Sequence, residues 1–235
     1  MLSNFFNHLY NTPLFGISLT LLAYQGGLTL YQKSQQWPLF NPVLIAVATI
    51  IISLKITGVS YQQYWQGAQF FSLFNGIVVV ALALPLYRYL GELKEYYLSV
   101  IVIIVSAAVI ACLSSLIVAK LFGLDTIIVR SVAARSVTTP IAVQVTEIIH
   151  GNVAIITMLA ILNGISSSIL AFPLLKKLKV TSEVNQGLCI GVAASAIGTA
   201  LAFTRSYRMG SYAALGMILN GIVSAVLIPI VIAYV

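Results

Sequence analysis

The sequence predicts an all-α polytopic membrane protein with about eight membrane segments, some of them discontinuous or re-entrant. Of the 235 residues, 60% are hydrophobic and only 7% are charged, whereas soluble domains carry about 25% charged residues. The mean hydropathy of the chain is +1.03. Because a spanning helix needs about 20 residues, the chain has room for roughly seven to nine spans in a single transmembrane domain covering residues 1–235. This composition excludes a soluble enzyme, a disordered chain and a disulfide-stapled secreted domain.

The charge pattern fits a multi-pass protein of a cytoplasmic (inner) membrane. The formal net charge is +7, from 12 Lys+Arg against 5 Asp+Glu, and the basic residues lie between the apolar runs. Since the chain has no basic stripe with interleaved aromatic residues, we do not expect nucleic acid as a partner. Cys112 and Cys189 lie inside apolar runs without a CxxC motif or a Cys/His cluster, so we expect no metal and no cofactor.

Eight segments follow one another along the chain, and three of them are predicted to be interrupted. The segments are 14–31, 42–56, 70–89, 97–122, 125–150, 153–175, 188–203 and 213–234. The third contains Asn75-Gly76 and Pro85, the fifth is too polar to face lipid, and the seventh is short for a straight span. Non-helical backbone is tolerated at membrane depth only when it is buried in protein or lines an aqueous cavity. In transporters, interrupted helices place free N–H groups near the midplane, where they can hold an anion.

The sequence leaves open a two-fold internal repeat with halves 1–122 and 125–235. Gln66-Gly67 recurs as Gln186-Gly187, and Ala81-Leu82-Ala83 recurs as Ala200-Leu201-Ala202. Short matches of common residues also arise by chance in apolar chains. If the repeat is genuine, the interrupted segments 70–89 and 188–203 are its counterparts, as in secondary transporters.

The densest polar group lies in the fifth segment. It is Arg135-Ser136-Val137-Thr138-Thr139-Pro140. One interpretation is an anion site: Arg135 offers a forked donor, the hydroxyls add donors, and a Ser or Thr before Pro140 can cap a helix whose N-terminus favours negative charge. The other interpretation is a capped loop that places Arg135 at the lipid headgroups. Arg130, five residues away on the same segment, supports the anion site, because ionisable groups inside the membrane are by default functional.

Two further groups are candidates for the opposite wall of such a site. Asn75 and Gly76 lie inside the third segment. The seventh segment contains four small or hydroxyl residues at helical spacing: Gly191, Ser195, Gly198 and Thr199. This spacing fits either tight helix packing through small residues or a half-helix that lines a substrate, and the same choice applies to Asn163-Gly164.

Glu147 is one of only five acidic residues. It is a candidate proton-coupling carboxylate, but the sequence favours the other interpretation, in which it lies at the membrane interface and pairs with His150 or a lysine. The chain contains no Ser-His-Asp set and no HExxH, GxSxG or P-loop motif, so it is not predicted to be an enzyme.

The motifs of the chain resemble those of the LrgB/CidB family of bacterial membrane proteins, which includes the plastid glycolate/glycerate translocator. The resemblance runs from about Asn41 to Pro229, and its most specific motif is the Ser-Val-Thr-Thr-Pro-Ile-Ala run at residues 136–142. The run at 80–87 is similar to the family's Val-Ala-Leu-Ala-x-Pro-Leu-Tyr. The family usually has Pro-Lys where this chain has Ala134-Arg135, a His where it has Ser195, and Gly-Pro-Ala-Thr where it has residues 76–79.

The resemblance implies two functions in a bacterial cytoplasmic membrane. One is transport of small carboxylates such as glycolate, glycerate or pyruvate. The other is a holin- or antiholin-like subunit, regulatory or pore-forming, that modulates murein hydrolase export and autolysis. The expected partners are a small carboxylate, the lipid bilayer and a small membrane protein of the LrgA/CidA type, and we also expect an oligomer. The broken segments and Arg135 favour the carrier, because a pore made of ordinary amphipathic spans needs no anion site.

Overall fold

The part of the chain that the structure describes is almost entirely helical. The computed structural model describes residues 12–81 and 83–234, including all their side chains except those at 38, 75, 76, 78, 79, 83, 85, 86, 88, 90 and 92–96. The chain divides into two compact units, Met1–Ala83 and Leu84–Val235, and each is described by itself. The predicted single domain and the predicted repeat stay predictions.

The first unit is built from short and medium helices. They are α1 (Pro13–Lys33), a 3-10 turn (Pro38–Phe40), α2 (Pro42–Thr57), α3 (Tyr61–Ala68), a second 3-10 turn (Gln69–Leu73) and α4 (Phe74–Ala81). Local sequence sets several of these boundaries. The Asn41 side chain caps α2 by accepting from two backbone N–H groups, and Gly58 ends that helix with φ of 70°. Ser60 and Gln63 form a capping box at the start of α3.

The second unit contains the longer helices. They are α5 (Ala83–Leu121), α6 (Thr126–Val132), α7 (Thr139–Ile148), α8 (Val153–Lys177), α9 (Glu183–Arg205) and α10 (Tyr207–Ala233). Across the described residues of both units, five helical stretches are long and apolar enough to cross a membrane: Pro13–Lys33, Tyr97–Leu121, Val153–Lys177, Glu183–Arg205 and Tyr207–Ala233. The 16-residue α2 is apolar but shorter. The predicted class, an all-α polytopic membrane protein, is confirmed.

The boundary between the third and fourth predicted segments differs from the prediction. The sequence analysis separates 70–89 from 97–122, whereas α5 continues from Ala83 to Leu121. Residues 90–96 have no proline and include Leu, Glu and Lys, which are good helix formers, so polarity alone does not end the helix there. The interruption instead lies nearer the start of the segment, where the chain passes from α3 through a 3-10 turn to α4.

The fifth and seventh segments are interrupted, as predicted. Helices α6 and α7 are 7 and 10 residues long, and residues 133–138 form non-helical turns between them. At about 1.5 Å per residue, neither helix could span a bilayer alone. Helix α9 breaks at Ser195, whose φ of 49° and ψ of −135° lie far from helical values. By contrast, α8 runs without a break through Asn163-Gly164.

Close packing of α9 against α10 fixes the seventh segment in the second unit. A Cβ atom on Gly191 would overlap the carbonyl group of Ala213. Such contacts let two helix backbones approach each other closely, which is the usual role of small residues between membrane helices. Buried α10 residues, among them Tyr212 and Leu215, pack in one apolar cluster with Leu188 of α9. The position of α10 relative to the break in α9 is therefore set by packing.

Substitution of Gly191 by alanine is expected to lower the melting temperature of the detergent-solubilised protein by several degrees. The added methyl group overpacks the α9–α10 contact, at a typical cost of about 1–3 kcal/mol. Gly26→Ala in α1 is the matched control, because a Cβ there has no neighbour within 4 Å and alanine is the better helix former. Equal melting temperatures for the two variants would contradict the close α9–α10 approach.

Candidate functional site

The candidate site lies where the turns between α6 and α7 meet the break in α9. The backbone carbonyl of Ser136 accepts two hydrogen bonds there. One comes from the Ser195 hydroxyl at 3.2 Å, and the other from the side-chain amide of Asn220 on α10, also at 3.2 Å. The two interrupted segments are thus joined directly, with α10 as a third support.

The start of α7 follows from its sequence. Pro140 occupies the first turn, where its missing N–H costs nothing. Thr138 takes the N-cap position with extended backbone, as predicted, but its hydroxyl makes no capping hydrogen bond. The first N–H groups of α7 therefore have no side-chain cap. Ser136 is buried, Thr138 and Thr139 are half-buried, and Pro140 is exposed.

Arg135 extends from the same turns toward α5 and α8. Its Nε donates to the Ser115 hydroxyl at 2.6 Å, and its Nη1 donates to the Asn163 side-chain oxygen at 3.3 Å. Ser115 is only 5% exposed, and its own hydroxyl donates to the carbonyl of Ala111. Arg135 is half-buried, and its two partners lie on different helices, α5 and α8.

The partners of Arg135 among the described residues are both neutral. A guanidinium has five N–H donors, and the two neutral partners accept from two of them. Within the described residues, no carboxylate lies within ion-pair distance of Arg135. A half-buried cation with three donors left is suited to bind an anion, because charge-assisted bonds to a carboxylate are short and strong.

The break in α9 is stabilised by its own residues. Thr199 is 3% exposed, and its hydroxyl donates to the carbonyl of Ser195 at 2.8 Å. A Cβ on Gly198 would overlap the Ala194 side chain and approach Ile190 closely, so the backbone around the break needs glycine there. Of the predicted residues in this segment, Ser195 meets the α6–α7 turns, whereas Gly198 and Thr199 support the break from within α9.

The structure does not test the role of two other predicted residues, and it places a third at the far end of α7. Asn75 and Gly76 belong to α4 in the first unit, and their side chains lie outside what the structure describes. Glu147 is exposed in the last turn of α7, about 12 Å along that helix from its start. This location fits the interface interpretation of Glu147, and its role in proton coupling stays a prediction.

The partners of Arg135 and Ser136 were not assigned from sequence. Two Asn-Gly pairs interrupt apolar runs, at 163–164 and 220–221. This pattern indicates a buried polar side chain, but it does not indicate which residue that side chain would bond. The sequence does not indicate that Ser115 contacts Arg135, because a serine inside an apolar helix commonly bonds the backbone of its own helix. Ser224 extends the same network by donating to the Asn220 side-chain oxygen at 3.4 Å.

Comparison with known proteins gives the family. The model of the LrgB-like family matches residues 20–234, which include every contact of the site just described. The chain belongs to the LrgB-like family. Two relatives, each named antiholin-like protein LrgB, come from Bacillus cereus strain B4264 and Bacillus anthracis strain CDC 684 / NRRL 3495. Each is 32% identical over 218 residues, which cover 93% of this chain and 95% of the relative. No solved structure matches the chain.

The match makes this chain a multi-pass membrane protein of the LrgB-like family with bacterial homologues. The family description and the names of these relatives do not denote an enzyme. The resemblance inferred from the motif at residues 136–142 is confirmed. That motif supplies the turns and the helix start on which Arg135 and Ser136 lie.

Ser195→Val is expected to have a melting temperature several degrees below that of Ser195→Gly. Both variants lose the hydrogen bond from the Ser195 hydroxyl to the Ser136 carbonyl, so the difference between them reports backbone strain. Glycine adopts the backbone angles of residue 195 freely, and a β-branched side chain is a steric outlier there. Strain of this kind costs of order 1–3 kcal/mol.

The matched control is Ser166→Val on the uninterrupted helix α8, where the serine is exposed and bonds its own helix backbone. Thermal unfolding in detergent compares the three variants. If Ser195→Val were as stable as Ser166→Val, residue 195 would have an ordinary helical conformation and the break would lie elsewhere.

Proposed function

We propose that the protein carries small carboxylates of the glycolate, glycerate or pyruvate type across the bacterial cytoplasmic membrane. The observation that supports this function best is the half-buried guanidinium of Arg135, held by neutral partners where two interrupted segments meet. The proposed binding residues are Arg135, Ser136, Thr138, Thr139 and Pro140 on the α6–α7 side and Ser195, Gly198 and Thr199 at the break in α9.

The chemistry of these groups suits a monocarboxylate. The three N–H donors of Arg135 that its neighbours leave can form a forked pair of bonds to one carboxylate group. The uncapped N–H groups at the start of the ten-residue α7 favour negative charge, and the hydroxyls of Thr138 and Thr139 add donors next to them. These hydroxyls also suit the extra oxygen of a hydroxy or keto acid. Partly exposed contacts of this kind fit a site that must release its ligand.

Two assignments in this proposal rest on the sequence alone. Asn75 and Gly76 are assigned to the opposite wall of the site because they interrupt an apolar segment of the first half. Glu147 is the candidate carboxylate for proton coupling, although its exposure at the end of α7 supports an interface role better.

The relatives favour a second candidate function. Proteins 32% identical to this chain are named antiholin-like protein LrgB. By that reading, the chain is a regulatory or pore-forming subunit that modulates murein hydrolase export and autolysis, as an oligomer or with a small LrgA/CidA-type partner. The names support this candidate more directly than they support transport. The geometry supports the carrier, because a regulator that acts through surface contacts has no use for an uncompensated internal arginine.

Arg135→Ala is expected to reduce uptake of labelled glycolate or pyruvate into proteoliposomes at least tenfold. A hydrogen bond to a charged group contributes about 1.5–3 kcal/mol, which corresponds to roughly 10–100-fold in binding. Arg135→Lys is expected to retain part of the uptake, because it keeps the charge but loses the forked geometry.

Arg130→Ala is the matched control for charge, and uptake is expected to stay within about twofold of wild type. Arg130 lies five residues earlier on α6 and lines a separate cavity with Lys120 and Thr126. Absence of uptake by the folded wild type, with and without the small partner, would refute the carrier. In that case a lysis phenotype unchanged by Arg135→Ala would support the antiholin-like function.

A further inference from the structure

We infer that Asn163 is a positioning residue, which orients Arg135 for the anion and joins its guanidinium to the break in α9. The inference rests on the proposed function, since it concerns the same anion site. Asn163 lies near the middle of α8, and the sequence leaves open whether Asn163-Gly164 serves helix packing or lines a substrate. Its role follows from the two bonds that its side chain makes.

Both polar atoms of the Asn163 side-chain amide form hydrogen bonds. Its oxygen accepts from Nη1 of Arg135 at 3.3 Å, and its nitrogen donates to the carbonyl oxygen of Ala193 at 3.0 Å. Ala193 lies two residues before the break at Ser195. In a continuous helix, that carbonyl would accept from the N–H four residues later, so a break at residue 195 leaves it in need of another donor. One amide thus satisfies the broken helix and orients the arginine.

An amide side chain is well suited to orienting Arg135 without neutralising its charge. Ser115 fixes one side of the guanidinium through Nε, and Asn163 fixes Nη1, so the remaining donors on Nη1 and Nη2 have a defined direction. Both partners are neutral, and the positive charge stays available to a ligand. A carboxylate at residue 163 would keep the acceptor but would pair with Arg135 and compete with any anion. An apolar side chain would keep the charge free but would leave the guanidinium without this anchor.

The first test uses uptake of labelled glycolate into proteoliposomes. Asn163→Asp is expected to lower uptake at pH 7 at least tenfold, because the new carboxylate occupies Arg135. Asn163→Leu is expected to raise KM about tenfold with a smaller change in maximal rate, because charge is retained while orientation is lost. Ser166→Ala, one turn away on the exposed side of α8, is the control and is expected to keep wild-type kinetics. Wild-type KM in both Asn163 variants would overturn the inference and leave the proposed function intact.

The second test does not depend on transport. The melting temperature in detergent is measured for Asn163→Asp with Arg135 present and in the Arg135→Ala background. The variant loses the bond to the Ala193 carbonyl in both backgrounds. The new carboxylate gains a counter-ion only in the background with Arg135, so the fall in melting temperature is expected to be smaller with Arg135 than without it. Without Arg135, a half-buried carboxylate has no cation beside it, and the melting temperature is expected to fall further.

The difference in melting temperature between the two backgrounds separates positioning from a merely structural role. If Asn163 only supports the helix break, Asn163→Asp lowers the melting temperature equally in both backgrounds, and the inference is wrong. If the wild type takes up no carboxylate, the proposed function fails and with it the role of Asn163 in anion binding. A smaller fall in the melting temperature with Arg135 present would then establish only that Asn163 holds Arg135.

Discussion

The carbonyl oxygen of Ser136 is the point on which the candidate site depends. Residues 133–138 leave the helical hydrogen-bond pattern inside an apolar bundle, where an unpaired backbone group costs several kcal/mol. Ser195 and Asn220 both donate to this carbonyl and so fix the turns in place. Arg135 is the preceding residue, so fixing the carbonyl also fixes the point from which its side chain extends toward α5 and α8.

Apolar packing stabilises this polar junction. Asn220 is 2% exposed, and it reaches the α6–α7 turns because α10 is held against α9 along a glycine-lined contact. An amide buried to that extent must be hydrogen-bonded, and its two partners here are Ser136 and Ser224. Misplacing α10 by overpacking would therefore unpair several buried groups at once. The glycine contacts act on the site indirectly, through the position of Asn220.

Local sequence predicted that the fifth and seventh segments are interrupted, but not what stabilises the broken ends. Hydroxyl residues before Pro140 mark a helix start at short range, and the small residues around Ser195 mark a weak point in an apolar run. The partners of these breaks lie 20 to 84 residues away in sequence, as Ser115 does from Arg135 and Asn220 from Ser136. Such pairings depend on how the helices pack, which no local pattern records. The same limit explains why α5 continues past the polar stretch at 90–96.

A cation inside a helix bundle is costly unless something compensates its charge, and proteins usually supply a resident carboxylate for this purpose. Around Arg135, the described residues supply a hydroxyl and an amide instead. These groups orient the guanidinium and recover part of its lost hydration without cancelling its charge. A resident carboxylate would make the site neutral and closed to anions at all times. Partial compensation keeps the bundle folded and leaves a ligand with free energy to gain, which is the condition that an anion carrier needs and that a purely structural arginine does not.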